Sequence, residues 1–199
     1  MVLRLVGSEM CIRDRSVDMA AAGRGHPPID WDSLTFSFTE TDRMFVANGS
    51  WEDGWSEGLM VDFQPLSLSP AACVLNYGQG LFEGMKARRT PDGRITLFRP
   101  EMNARRAAEG AKRLVMPEIS ESMFIEAVKK VAEENKRWVP PHGKGELYLR
   151  PILFGSSARL GVSPAEEYMF VVFAVPVGPY FKGGICLLYT SPSPRDVVP

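Results

Sequence analysis

Tyr148 and Arg150 lie two residues apart in the run ELYLRPIL (146–153) and bring a phenol and a guanidinium together. In a β-strand, side chains alternate between faces, so these two share one face and Leu147 and Leu149 take the other. A guanidinium is a rigid fork of donors that matches a carboxylate, so such a face can recognise an acidic small molecule. A solvated strand face with an ordinary surface arginine has the same pattern. Arg99 is the second candidate. It precedes Pro100, and proline suits the first turn of a helix. The start of a helix offers unbonded N–H groups and a partial positive charge. An arginine there can complete a phosphate site, or it can be merely exposed.

YGQGLFEG (77–84) carries Gly78, Gly80 and Gly84 between the aromatics Tyr77 and Phe82. The glycines nearly spell a dinucleotide-binding fingerprint. The spacing is one residue too long, and a strand follows instead of a helix, so that reading fails. Glycines here let backbone approach a ligand or bend a strand; the aromatics fit either a pocket or a core. Cys73 sits among Ala71, Ala72, Val74 and Leu75 and reads as a buried, inert thiol. The two histidines, His26 and His142, support neither a nucleophile–base pair nor a metal site.

These residues must be positioned by strands and helices. The runs 35–38 and 44–47 are short strand candidates, and Asn48-Gly49 after the second favours a tight hairpin turn over a glycosylation role for Asn48-Gly49-Ser50. Residues 80–88 and 94–98 read as two strands joined by Pro91-Asp92-Gly93. The period then becomes helical. A first helix spans 100–115, with Met102, Ala108, Ala111 and Val115 near helical spacing, and Pro117 ends the run. Ser120 can cap a second helix reaching about residue 136, with Phe124, Ile125, Val128 and Val131 or Ala132 as its apolar stripe. The runs 147–154 and 168–175 are strongly β-prone. Strands, two helices and strands again predict an α+β fold, helices packed on a mostly antiparallel sheet.

The chain has 199 residues and a formal net charge of −1, which offers no electrostatic footprint for nucleic acid or an acidic membrane. No apolar run approaches the roughly 20 residues of a membrane-spanning helix. The ends read as foreign. CLLYTSPSPRD (186–196) and LVGSEMCIRDR (5–15) are translations of a common transposase sequencing adapter in its two orientations. Residues 1–15 and 186–196 are therefore expected to be adapter-derived, with 197–199 unassigned and 16–28 a poorly ordered head. On this reading Cys11 and Cys186 carry no meaning, and the compartment cannot be read.

Four ordered stretches carry a resemblance: NYGQGLFEGMKA (76–87), RITLFRPEMNARR (94–106), KRWVPPHGKGELYLRP (136–151) and PVGPYFKGG (176–184). Together they resemble branched-chain amino-acid aminotransferases, class IV transferases of fold-type IV that depend on pyridoxal 5'-phosphate; WDSL (31–34) and SLSPAACVLNYG (67–78) match more loosely. The resemblance implies an N-terminal small domain over 29–180, with 181–185 beginning the region between domains. It implies a homodimer that exchanges the amino group of leucine, isoleucine or valine with 2-oxoglutarate in amino-acid biosynthesis, giving 2-oxo acids and glutamate. Arg99 resembles the arginine on the cofactor phosphate. Tyr77, Phe82, Phe38 and Tyr180 resemble side chains of the substrate pocket. Tyr148 and Arg150 resemble the pair that accepts glutamate's distal carboxylate. Leu160-Gly161-Val162 resembles a mobile interdomain loop whose Val162 contacts the partner's site.

The family's cofactor-bearing lysine belongs to its second domain, and neither Lys86 nor Lys182 matches it. No catalytic residue is therefore assigned, and the chain by itself is expected to be a truncated, inactive piece of the enzyme. The alternatives are a related fold-type IV enzyme, such as a D-amino-acid aminotransferase or aminodeoxychorismate lyase, or a non-enzymatic module.

Overall fold

The computed structural model of the chain describes residues 29–178. Both adapter-like ends, the head 16–28, Tyr180 and Lys182 lie outside the described residues. One antiparallel sheet of eight strands organises the rest. In chain order the elements are β1 (Arg43–Ser50), β2 (Gly54–Trp55), β3 (Leu59–Asp62), α1 (Cys73–Tyr77), β4 (Gly80–Phe82), β5 (Met85–Arg89), β6 (Ile95–Leu97), α2 (Pro100–Arg113), α3 (Glu121–Glu134), β7 (Glu146–Gly155) and β8 (Glu167–Val177). Strand order is β2-β1-β8-β7-β5-β6, with β3 also on β1 and β4 also on β7. The expected α+β class is observed. Among the described residues, no helix is long and apolar enough to cross a membrane.

The two long strands form the centre. Leu147, Leu149 and Leu153 of β7 are buried toward the helices, as are Phe170, Val172 and Ala174 of β8. Helix α3 lays Phe124, Ala127, Val128, Val131 and Ala132 onto this face, and Phe124 stacks on Phe170 at 5.9 Å. Ser120 caps α3, its Oγ accepting from the Met123 N–H at 3.2 Å. That bond satisfies one of the donors a helix start leaves unpaired. Helix α2 buries Asn103, Ala104, Ala107 and Ala111. Small side chains let it lie close: a Cβ on Gly110 would stand 3.0 Å from Leu81. The predicted stripe of α2 was rotated. Only Ala111 of it is buried, and Val115 is exposed, because the helix ends at Arg113 and Val115 turns the chain at φ 52°.

Three further expectations need correction. Asn48-Gly49 is not a turn; both residues pair within β1, opposite Met169 and Tyr168 of β8. Gly49 serves packing instead, since a Cβ there would meet the Trp55 ring at 2.6 Å. The run 35–38 is not a strand. It crosses a face of the sheet, where Phe36 meets the Tyr148 ring edge-on at 5.7 Å. A segment crossing a face finds no ladder partner. The run 80–88 is two strands with a break at Glu83-Gly84, and the cause lies across the sheet. The Pro151 carbonyl accepts from the Glu83 N–H at 2.9 Å, so that side of Pro151 faces the break. Proline has no N–H to donate there, and the ladder beside it is interrupted.

Candidate functional site

Because Leu147 and Leu149 occupy the helix side of β7, Tyr148 and Arg150 are delivered to the opposite face. There the guanidinium is held on three sides. Arg150 Nε and Nη2 donate to the Tyr148 hydroxyl oxygen at 3.2 and 3.0 Å. Its Cζ stands 4.4 Å from the centroid of the Phe82 ring and 5.1 Å from that of Tyr148. A cation over aromatic faces gains about 0.5–2 kcal/mol, more as water is excluded. Among the described residues no carboxylate pairs with Arg150. The result is an oriented cation whose remaining donors are available to an anion.

A cavity of about 210 Å³ opens beside it. Tyr148 and Arg150 form its polar end, and Phe36, Ser37 and Phe38 cover one wall. Phe173, Val175 and Val177 of β8 supply the rest, and the pairs Arg150↔Phe173 and Tyr148↔Val175 put these residues next to the polar pair. Phe36, Phe173, Val175 and Val177 were not singled out from sequence. Alternation along β8 pointed to a shared face, but only the register with β7 says which face. A cavity of this kind suits a small molecule with an apolar body and one acidic group.

Gly84 completes the polar end by its lack of a side chain. A Cβ there would lie 2.2 Å from the Tyr148 hydroxyl oxygen. Its neighbour Glu83 is clamped from α2: Arg106 Nε and Nη2 bond its two carboxylate oxygens at 3.0 and 2.7 Å, and Asn103 Nδ2 donates to Oε2 at 2.7 Å. Helix α2 thus fixes the break in the strand that carries Phe82 and Gly84. The glutamate hydrogen bond and nearby charge raise the Arg106 guanidinium further above its usual range.

The other expected residues fall elsewhere. Tyr77 ends α1 and donates its hydroxyl proton to the carbonyl of Leu160, which ties it to the loop of Val162. The tip of that loop is open: Leu160 is 88% and Val162 91% exposed. Arg99 does not line the cavity. It heads α2 in a left-handed conformation, φ 48° and ψ 51°, with Glu101 Oε1 at 3.7 Å from Nε. Non-glycine residues in this region are held there at a cost of about 1–3 kcal/mol and cluster at ligand sites. Its exposed guanidinium, one loose ion pair and a helix start form a donor set that fits a phosphate. Lys86 is committed to an ion pair with Glu146, which Arg88 shares at 2.5 Å. Cys73 is buried.

No family model matches the chain. Curated proteins do. The mitochondrial branched-chain-amino-acid aminotransferase 1 of Arabidopsis thaliana is 52% identical over 160 residues, 80% of this chain and 42% of that protein. A chloroplastic branched-chain aminotransferase of Humulus lupulus is 51% identical over 161 residues, 81% of this chain and 40% of its own length. A protein of Arabidopsis thaliana named a methionine aminotransferase is 52% identical over 154 residues, 77% and 44% of the two chains. The chain thus spans about two-fifths of the length of the curated relatives it matches. Among solved structures, the branched-chain aminotransferase of Thermoproteus uzoniensis superposes with a TM-score of 0.57 at 22% identity, covering 71% of this chain and 43% of that one. The Escherichia coli enzyme gives 0.56 at 23% identity, over 71% and 41%. The sheet is therefore a fold seen in those enzymes, and across four-fifths of its residues this chain is about half identical to branched-chain aminotransferases.

Proposed function

We propose that the full-length protein carrying this sequence transfers the amino group of leucine, isoleucine or valine to 2-oxoglutarate with pyridoxal 5'-phosphate. The observation that carries the reading is the single oriented guanidinium at the end of an apolar cavity. Such a site must accept, in turn, a branched apolar side chain and glutamate's acidic one. Phe38, Phe82 and the β8 side chains suit the first. Arg150, steered by Tyr148, suits the second, because a carboxylate left without a charged partner in this setting costs several kcal/mol. The half identity to branched-chain aminotransferases supports the same reading.

Arg99 at the start of α2 would hold the cofactor phosphate. The bound cofactor supplies the electron sink for cleavage at the substrate α-carbon. The described residues bind, orient and exclude water. The amine that anchors the cofactor and moves the proton is assigned to none of them. Residues 29–180 act as the N-terminal domain, in a homodimer where Tyr77 and Val162 reach the partner's site.

A substrate panel tests the reading. Purified full-length protein with the cofactor should form glutamate from leucine, isoleucine and valine. Methionine belongs in the panel, because a relative named for it matches this chain as well as those named for branched-chain substrates. Preference for methionine would replace the substrate assignment, and transfer from D-amino acids alone, or none, would overturn the reading.

A further inference from the structure

One buried amide, two residues beyond Tyr77, joins three separate segments. Gln79 is only 9% exposed. Its Nε2 donates to the carbonyls of Leu114 and Val115 at 2.9 and 3.2 Å. Its Oε1 accepts the Ala165 N–H at 2.9 Å, and its backbone carbonyl accepts the Gly155 N–H at 3.0 Å. The side chain thus ties the end of α2 to the return of loop 156–166. The surroundings are shaped for it. A Cβ on Gly155 would lie 2.7 Å from Gln79 Oε1. Val115 adopts φ 52°, a conformation β-branched residues rarely take, and so turns its carbonyl to the amide.

Ala165 is gripped from its other side as well. The Tyr168 hydroxyl donates to its carbonyl at 2.5 Å and accepts from Trp51 Nε1 at 3.1 Å. Within one motif, then, Tyr77 bonds the tip of the loop at Leu160 and Gln79 bonds its base at Ala165. Phe82, three residues further along, stacks on Arg150.

We propose that Gln79 is a positioning residue: its side-chain amide sets the pose of loop 156–166, and through the loop the fit of the substrate. The substrate half of this proposal rests on the transaminase reading above; the loop half does not. Gln79→Met keeps the length and volume and removes every side-chain hydrogen bond. In the full-length protein, tryptic cleavage after Arg159 should rise about tenfold, the scale of one buried hydrogen bond left unmade. Cleavage after Lys144, in a separate loop, should not change. In the unmutated protein the Ala165 amide should exchange slowly while those of Leu160 and Val162 exchange fast, a measurement that holds even if the variant folds poorly. With activity as readout, Gln79→Met should raise KM for the 2-oxo acid about tenfold and leave kcat within about threefold. Fast exchange at Ala165, or unchanged cleavage at Arg159, overturns the anchor. A loosened loop with unchanged KM overturns the positioning role. An inactive unmutated protein counts against the transaminase reading, and the exchange and cleavage results still decide the anchor.

Discussion

Gly84→Ala should separate the two kinds of substrate that the proposed function assigns to one pocket. The added methyl would stand 2.2 Å from the Tyr148 hydroxyl oxygen and 2.9 Å from Cζ. An ordinary C···O contact is about 3.3 Å, so the phenol must retreat by about 1 Å. The bonds from Arg150 Nη2 and Nε to that hydroxyl are 3.0 and 3.2 Å long, and the same retreat takes both past bonding distance. Gly84 lies outside the left-handed region, so alanine fits its backbone. The entropy gain of about 0.4–1 kcal/mol partly offsets an overpacking cost of about 1–3 kcal/mol, and the protein should stay folded. Hydrogen bonds to a charged group contribute about 1.5–3 kcal/mol, and losing the set that orients Arg150 should lower kcat/KM for 2-oxoglutarate about 10- to 140-fold. The loss for the 2-oxo acid of leucine should be under about fivefold, since it asks nothing of the guanidinium. Steady-state kinetics on both acids checks this, with Tyr148→Phe as a second background. Without the hydroxyl, Gly84→Ala should have little further effect on 2-oxoglutarate. Equal losses on the two acids, or fully additive losses in the double variant, would refute the reasoning.

Arg99→Ala should weaken cofactor retention about 10- to 140-fold, from a charge-assisted contact of about 1.5–3 kcal/mol, and leave substrate preference unchanged; equilibrium dialysis against the cofactor measures it. Phe124→Ala removes a buried ring stacked on Phe170 and should cost about 3–5 kcal/mol in urea unfolding. Burial holds the Tyr168 phenol above its ordinary value, opposed in part by hydrogen bonds from Trp51 and Gln79. The folded state therefore keeps this proton longer than the unfolded chain does. Its contribution is full below about pH 10 and is lost as pH rises through the folded value. The stability gap between the unmutated protein and Tyr168→Phe should accordingly narrow above about pH 10, and a gap that widens there would contradict the assignment.

Sequence by itself determined what local chemistry fixes. Helix α3 followed from its period and from Ser120 as cap, α2 from its residue types and Pro100 at the first turn though its stripe was misplaced, and the turn at Pro91-Asp92-Gly93 followed from its residues. Strict alternation placed Tyr148 and Arg150 on one face of β7, and four ordered motifs carried the resemblance to branched-chain aminotransferases. Tertiary structure decided the rest, because the deciding contacts join residues far apart in the chain. Asn48-Gly49 has the composition of a turn, yet pairing with β8 and the Trp55 ring keep it in a strand. The break between β4 and β5 falls opposite Pro151 on another strand; Gly84 allowed a bend within residues 80–88, but only the pairing with β7 placed it. Phe36 reads as part of a strand and instead closes a cavity. The β8 wall of that cavity depends on a register that a shift of one residue would turn to the other face. Gln79 looks like a spacer between glycines until the fold brings Leu114, Val115 and Ala165 to its amide. A hydrogen bond acts over about 3 Å, whatever the distance along the chain, so only the folded chain shows which partners it joins.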